Sequence, residues 1–422
     1  MIKTLNVYLH RHLVGQLTQN KYGEVEFCYS AAWLESSQAV PLSNSLPIRK
    51  EKFRRRECKG FFSGILPEEN NRQIIAKNLG ISAQNDFSML SEIGGECAGA
   101  ITFLPSDVEL PERNDQYRRL QDQELEVILK KLPERPLMAG EAGVRLSLAG
   151  AQDKIAVALR DHQFSIPLNG AASTHILKPA IKQFPGLSFN EAFCMQTAAA
   201  IGLNTAKTGL GNTNGIDYLL IERYDRKLVG VSIGNQFLER IHQEDFCQAL
   251  GIESEKKYQV EGGPSLPQSF SLLRQLSSAP VIDLQQLLDA IIFNFLIGNN
   301  DAHGKNFSLL YNQGTVLTGN SKRLSPFYDI LSTAYYPELS KKMAMNIGGE
   351  YLSERIKLLH FEKLAEEIGF SKLMVKRRVV EMMKKLLFHL DTYPPQHSVT
   401  SLVAQFIYHR CQRLAQEFKP ID

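Results

Sequence analysis

Little in this sequence stands out by abundance, and each scarcity excludes something. The 422 residues include one tryptophan and six cysteines (28, 58, 97, 194, 247 and 411), with no Cys-x-x-Cys. Cysteines scattered in this way exclude a disulfide framework and a zinc ribbon, and they fit reduced thiols in a cytoplasmic protein. Neither sign of charge is in excess. Against 48 Lys and Arg stand 45 Asp and Glu, a formal net charge of +3, so no global field draws the chain to nucleic acid or to a membrane. Long apolar runs are missing too. The longest, Leu287 to Gly298, is too short to span a bilayer and contains Asp289 and Asn294. The opening Met1-Ile-Lys-Thr-Leu-Asn-Val-Tyr8 has neither the apolar core nor the cleavage site of a signal peptide. No internal repeat or low-complexity segment stands out. What remains is an ordinary globular composition, 43% hydrophobic and 22% charged, with length for two or three domains.

The pattern along the chain changes three times. Residues 1–106 read as a β-rich domain, with β-prone runs Leu5–Leu9, Val25–Tyr29 and Ala98–Leu104. Between them lies a basic run of Arg49, Lys50, Lys52, Arg54, Arg55, Arg56 and Lys59. It fits a solvated loop, or a contact for an acidic partner or phosphate. Residues 107–142 are polar, with prolines at 111, 133 and 136 around a short helical pattern, and read as a linker. Residues 143–226 read as a strand-dominated lobe with one helix. Ser188-Phe-Asn-Glu191 has the spacing of a capping box for that helix, and Gly202 closes it. Residues 227–422 read as mainly helical. There Asp283-Leu-Gln-Gln286 resembles a second cap, ahead of an apolar stripe of Leu287, Leu288, Ile291, Ile292, Phe295 and Leu296 that breaks at Gly298.

The chemistry concentrates after that break. In Asp301-Ala-His303-Gly-Lys305-Asn306 an Asp is followed five residues later by an Asn, on a loop between an apolar helix and an apolar strand. Phosphoryl transfer needs such a pair, a carboxylate to accept the proton of the attacking hydroxyl and an amide oxygen to hold Mg²⁺ on the phosphates. Twenty-three residues on, Asp329 sits in the apolar, β-prone Leu324-Ser-Pro-Phe-Tyr328-Asp-Ile330. A carboxylate there is costly without a cation or hydrogen bonds, and a second Mg²⁺ ligand fits. Lys178 ends an apolar run before a helix, the place of a cation on the α- and β-phosphates. Ala149-Gly150-Ala151-Gln152-Asp153-Lys154 is a small-residue turn between strands whose amides can cradle phosphate, although it is neither Gly-x-Gly-x-x-Gly nor Walker A. Glu222-Arg223-Tyr224 follows a buried-looking strand, where a kinase-like fold has the hinge that reads adenine. Singly each segment is ambiguous. Their order is that of a protein-kinase-like enzyme. The spacing around Asp301 also fits a lipid or small-molecule kinase, and a catalytically idle corepressor module could keep the fold.

These segments, with Asn190-Glu-Ala-Phe-Cys-Met195, Gln243-Glu-Asp-Phe-Cys-Gln248 and Gly60-Phe-Phe-Ser-Gly-Ile-Leu-Pro67, resemble the HipA-type toxin kinases over most of the chain. The resemblance implies an α+β fold: a two-lobed protein-kinase-like body, strand-rich then helical, behind an N-terminal β-rich accessory domain. It implies an ATP- and Mg²⁺-dependent serine/threonine protein kinase, the toxin of a type II toxin–antitoxin pair. Its partners would be a HipB-type helix-turn-helix antitoxin, operator DNA reached through that antitoxin, and a protein substrate. The substrate would be an aminoacyl-tRNA synthetase, the glutamyl enzyme favoured, with growth arrest and persistence as the outcome. It implies no membrane and a cytoplasmic location, operator-bound with the antitoxin. By motif, Asp301 is the catalytic base, and Asn306 and Asp329 are the metal ligands. The ATP contacts are Ala149, Gly150, Ala151, Gln152, Asp153, Lys154, Lys178, Glu222, Arg223, Tyr224, His303, Lys305, Asn306, Tyr328 and Asp329. Ser147 occupies the position that autophosphorylates in relatives.

Overall fold

A computed structural model describes residues 2–111, 116–229, 237–313, 320–395 and 397–417. Contacts divide the chain into two units. The first is residues 1–179, 211–255 and 309–320, and the second is 180–210, 256–308 and 321–422.

The first unit begins with strands β1 (Lys3–Leu9), β2 (His12–Gln19) and β3 (Val25–Tyr29), the short helix α1 (Ala31–Glu35) and β4 (Phe53–Arg54). Helices α2 (Arg55–Gly64), α3 (Glu69–Leu79) and α4 (Asp86–Ile93) follow, then β5 (Ile101–Pro105). The sheet order is β4-β3-β2-β1-β5. Alternation along β1 puts Leu5, Val7 and Leu9 inside. They meet a ring cluster in which Phe62 packs on Phe27 at 5.5 Å and on Phe103 at 5.9 Å between centroids. Burying each such side chain contributes about 1.5–3 kcal/mol. The basic run is largely solvated but is not all loop, since three of its seven residues lie in α2. Arg49 pairs with Glu57, Lys52 with Glu26, and Lys59 with Glu253 at 2.6 Å and Glu255 at 3.3 Å.

The segment read as a linker is structured instead. It supplies β6 (Gln116–Arg119) and α5 (Asp122–Lys131), with Leu120, Leu125, Leu129 and Leu132 in the core. The short helical pattern is thus a helix with one apolar face packed inward rather than part of a free linker. After β7 (Ile155–Arg160), β8 (Gln163–Leu168) and β9 (His175–Pro179), the chain enters the second unit for α6 (Leu187–Ala200). It re-enters the first with β10 (Thr208–Thr213) and β11 (Ile216–Glu222). These complete a six-stranded sheet, β10-β11-β9-β7-β8-β6. Beyond residue 226 the chain does not turn directly to helices. It forms the hairpin β12 (Arg226–Val229) and β13 (Phe237–Arg240), then β14 (His242–Asp245) and α7 (Phe246–Ala249).

Glu96 lies where the accessory sheet region and the strands after it join, and it is 1% exposed. Its carboxylate accepts from Arg223 at 3.0 Å, Arg226 at 2.6 Å and the Ser173 hydroxyl at 3.1 Å. Arg223 also donates to Asp225, whose carboxylate accepts from the Gly99 amide at 2.7 Å. Arg240 donates to Thr102 and to the Gly170 carbonyl. Burial alone would push the Glu96 carboxyl up, but Arg223 and Arg226 hold it down to about 2.

The second unit holds α6 with helices α8 (Leu266–Leu276), α9 (Pro280–Ile297), α10 (Leu358–Ile368), α11 (Lys372–Thr392) and α12 (Ser398–Glu417), and α9 packs against α8, α11 and α12. Both capping expectations shift. The cap of α6 is Gly186, and Ser188 and Glu191 are buried on the helix itself. α9 starts at Pro280, so Asp283 is inside its first turn. There Asp283 is fully buried and bound by Arg323, Ser277 and the Leu324 amide. Residues chosen for cap spacing serve as buried anchors. α9 is 18 residues long and apolar enough to cross a membrane, but two-thirds of it is buried in this unit, which is the signature of a core helix.

Breaking a buried ion pair by removing one partner leaves a charge without compensation, at about 3–5 kcal/mol. Glu96→Gln therefore lowers unfolding stability by about 3 kcal/mol in urea denaturation. The folded carboxyl titrates near 2 and the ordinary value is 4.5. Unfolding thus takes up a proton in this window, and Glu96 stabilises fully above pH 4.5 and progressively less as pH falls toward 2. The unfolding midpoint of the wild type should drop across that window more steeply than that of Glu96→Gln.

Candidate active site

Each unit carries one set of the expected residues. In the second unit, α9 ends at Gly298 with φ +73°. A Cβ there would lie 2.8 Å from Ala334 and 3.0 Å from the Phe406 ring, so both backbone conformation and space demand glycine. The loop that follows is held from beneath. Asn299 and Asn300 are 2% and 4% exposed. The Asn299 amide group donates to Asn294 at 2.9 Å, and that of Asn300 donates to the Ser340 carbonyl at 3.1 Å. The Asn300 amide donates to the Thr333 hydroxyl at 2.7 Å, and its carbonyl accepts from Ala344 at 2.7 Å. Two buried asparagines thus fix the backbone on which the exposed Asp301 stands.

Asp301 Oδ1 accepts from the Tyr258 hydroxyl at 2.8 Å, and the Tyr258 ring packs edge-on against His303 at 5.5 Å. Residues Gly304–Asn306 form a 3₁₀ turn closed by the His303 amide on Asn306 Oδ1 at 3.1 Å. The Asn306 side-chain amide donates to Asp329 Oδ2 at 3.0 Å. Asp329 takes φ +58°, a conformation more accessible to Asp than to most residues. The Tyr328 hydroxyl donates to the Lys305 carbonyl at 2.7 Å and lies 2.7 Å from the Ser308 hydroxyl. The preceding Phe327 is fixed by the bonds Phe327 to Asn204 and Ala206 to Phe327. Asp301, His303, Lys305, Asn306, Tyr328 and Asp329 are therefore brought together. Asn306 and Asp329 meet side chain to side chain, and an amide oxygen with a carboxylate is a donor set that suits Mg²⁺, which keeps waters and phosphate oxygens for its other positions.

The first unit holds the other set. Lys178 on β9 is 5% exposed and lies opposite Leu219 of β11. In the turn Ala149–Lys154, Gly150 takes φ +101°. The Lys154 ammonium donates to the Ala149 carbonyl at 2.7 Å. Asp153 is half-buried, and burial raises its carboxyl although Asn71 and Lys154 oppose the shift. At the end of β11, Glu222 is exposed, and the Tyr224 hydroxyl donates to Gln243 at 2.5 Å. One expected contact is corrected. The Arg223 side chain is 5% exposed and spends its donors on Glu96, Asp225, Ser173 and the Cys97 carbonyl. Its backbone amide donates to Thr174. That side chain supports the hinge from inside and is not available to a nucleotide. Ser147 is fully buried, its hydroxyl donating to the Ile65 carbonyl at 2.9 Å.

Residues 5–104 match the HipA N-terminal domain, and residues 146–390, more than half of the chain, match the HipA-like C-terminal domain. The chain belongs to the HipA family. It is 46% identical to Sinorhizobium fredii Y4mE, named "Putative kinase", over 90% of each chain. It is 27% identical to the serine/threonine-protein kinase toxin HipA of Shewanella oneidensis, covering 97% of this chain and 95% of that protein. The crystal structure of Shewanella oneidensis HipA with HipB and operator DNA superposes with a TM-score of 0.83, at 26% identity and 98% coverage of both chains. This HipA-type chain is a serine/threonine kinase with the α+β fold of that family.

Tyr258, Asn299 and Asn300 escaped the sequence reading. The asparagines flank a recognised loop, and their place behind a helix-ending glycine was the available signal. Tyr258 lies 43 residues from Asp301 and had none. One hydrogen bond of this kind contributes about 1 kcal/mol. Tyr258→Phe should lower kcat about fivefold, with thermal unfolding unchanged, in a phosphotransfer assay.

Proposed function

We propose that this HipA-type kinase transfers the γ-phosphate of ATP to a serine of a protein substrate as the toxin of a toxin–antitoxin pair. The observation that carries the reading is the Asp301–Asn306–Asp329 cluster, an exposed carboxylate on a rigid loop beside two hard-oxygen donors. Asp301 takes the proton of the attacking hydroxyl, and Tyr258 orients that carboxylate. Asn306 and Asp329 hold Mg²⁺, which neutralises charge on the phosphates when bound. Lys178 and the turn Ala149–Lys154 bind phosphate oxygens, and His303, Lys305 and Tyr328 are further ATP contacts by motif. Glu222, Tyr224 and the backbone of this hinge receive the adenine.

The neutralising partner is a HipB-type helix-turn-helix protein, through which operator DNA is reached. The superposition on a HipA–HipB–operator complex supports this, and a formal charge of +3 fits a chain that leaves DNA electrostatics to a partner. The favoured substrate is an aminoacyl-tRNA synthetase, the glutamyl enzyme first, in a cytoplasmic setting, with arrested translation and persistence as the result. Ser147 is the autoregulatory site. Because its hydroxyl is buried against Ile65, phosphorylation requires residues 145–148 to leave their seat. The added charge, close to two units, then opposes return and ATP binding.

Phosphoproteomics of cells expressing wild type against Asp301→Gln tests the reading. Wild type should raise phosphoserine on a translation protein, and Asp301→Gln should lower transfer about a thousandfold while folding normally. Equal phosphorylation by both proteins would remove Asp301 from its role. Mass spectrometry of active wild-type protein should find phosphate on Ser147, and an unmodified Ser147 would end the autoregulatory assignment.

A further inference from the structure

The turn Ala149–Lys154 does not stand alone. Three consecutive carbonyls are taken by donors. Ala149 accepts from Lys154 within the turn, at 2.7 Å. Gly150 accepts from the Glu68 amide at 3.4 Å, beside a parallel bridge from Pro67 to Gly150. Ala151 accepts from the Asn71 side-chain amide at 2.9 Å, and Asn71 is near enough to Asp153 to hold its carboxyl down against burial. One residue before the turn, Ser147 donates to Ile65, and its amide donates to the Glu96 carbonyl. The accessory segment 65–71 therefore holds the turn and its approach at Ser147, Gly150 and Ala151, about 80 residues away in sequence.

A turn that receives anions must present N–H groups and keep its carbonyl dipoles off the phosphate oxygens. A small-residue turn centred on a glycine does not hold that arrangement by itself, because its backbone is free to rotate. Donors supplied from elsewhere can. Asn71 is suited to this, being 7% exposed in the first turn of α3 with its amide group on the Ala151 carbonyl of the loop.

We propose that Asn71 is a positioning residue of the phosphate loop, through which the accessory domain holds the turn Ala149–Lys154 ready for the triphosphate. The nucleotide arm of this inference rests on the ATP reading above, and the holding of the turn does not. The accessory domain thereby sets ATP affinity without touching ATP.

Asn71→Asp is the decisive variant. A carboxylate in the first turn of a helix is met by the helix dipole, yet at 7% exposure it costs stability, cannot donate to Ala151 and meets Asp153 with like charge. A purely structural Asn71 would lose stability in this variant with no change in ATP KM. Positioning predicts ATP binding and KM weakened about tenfold, with kcat at saturating ATP within about twofold. It also predicts trypsin cleavage after Lys154 several times faster than in wild type, with cleavage elsewhere unchanged. Asn71→Ala should give the same pattern, milder because no repulsion is added. Unchanged cleavage after Lys154 in both variants would overturn the holding of the turn. Faster cleavage with unchanged ATP KM would overturn its role in nucleotide affinity. A wild-type protein that binds no ATP would remove the kinase reading of the turn, and the cleavage rates would still decide whether Asn71 holds it.

Discussion

The constraint on which the first unit depends is the neutralisation of Glu96. A carboxylate at 1% exposure is tolerable only if cations and donors surround it, and here they come from two places along the chain. Arg223 sits in the hinge and Arg226 just beyond it, Ser173 precedes β9, and Asp225 ties Arg223 to the Gly99 amide. The backbone of Glu96 meanwhile bonds Arg145 and Ser147, immediately before the phosphate turn. One buried charge therefore fixes the accessory domain, the approach to the turn and the hinge together. Such a network is a poor source of net stability and a strong source of specificity for one arrangement. That fits the proposed role of the accessory domain in placing the phosphate turn.

The second unit solves a different problem, exposing one carboxylate on a backbone that cannot move. α9 is buried and ends at a glycine that nothing else could replace, and Asn299 and Asn300 turn inward to take up the polar groups of the loop. Asp301 is left facing outward. Rigid support with an accessible acid is what proton acceptance from an incoming hydroxyl requires.

How much of this was legible in the sequence follows from the range of each interaction. The Asp301–Asn306 loop and the end of α9 at Gly298 are written in local spacing, and the structure has them in place. The helix inside the stretch 107–142 was also written locally and read there, since Leu125, Leu129 and Leu132 recur at helical spacing, but the polar residues and prolines around it gave no sign that it packs into the first unit. Ser188 and Asp283 misled because a capping box and a buried polar anchor use the same residue types. The pairs Glu96–Arg223, 127 residues apart, and Asn71–Ala151, 80 apart, leave no periodic trace. Arg223 was accordingly assigned to the nucleotide when its side chain belongs to the interior.

Native-state hydrogen exchange tests most directly whether the accessory domain and the nucleotide-binding elements of the first unit form one cooperative body. In the wild type the amides of Glu96, Ser147 and Arg223, which donate to Arg145, Glu96 and Thr174, should exchange with one common opening free energy. Glu96→Gln should lower that free energy equally at all three. Loss of protection at Glu96 and Ser147 with Arg223 unchanged would contradict the account, because it would show that the hinge is held without the accessory domain.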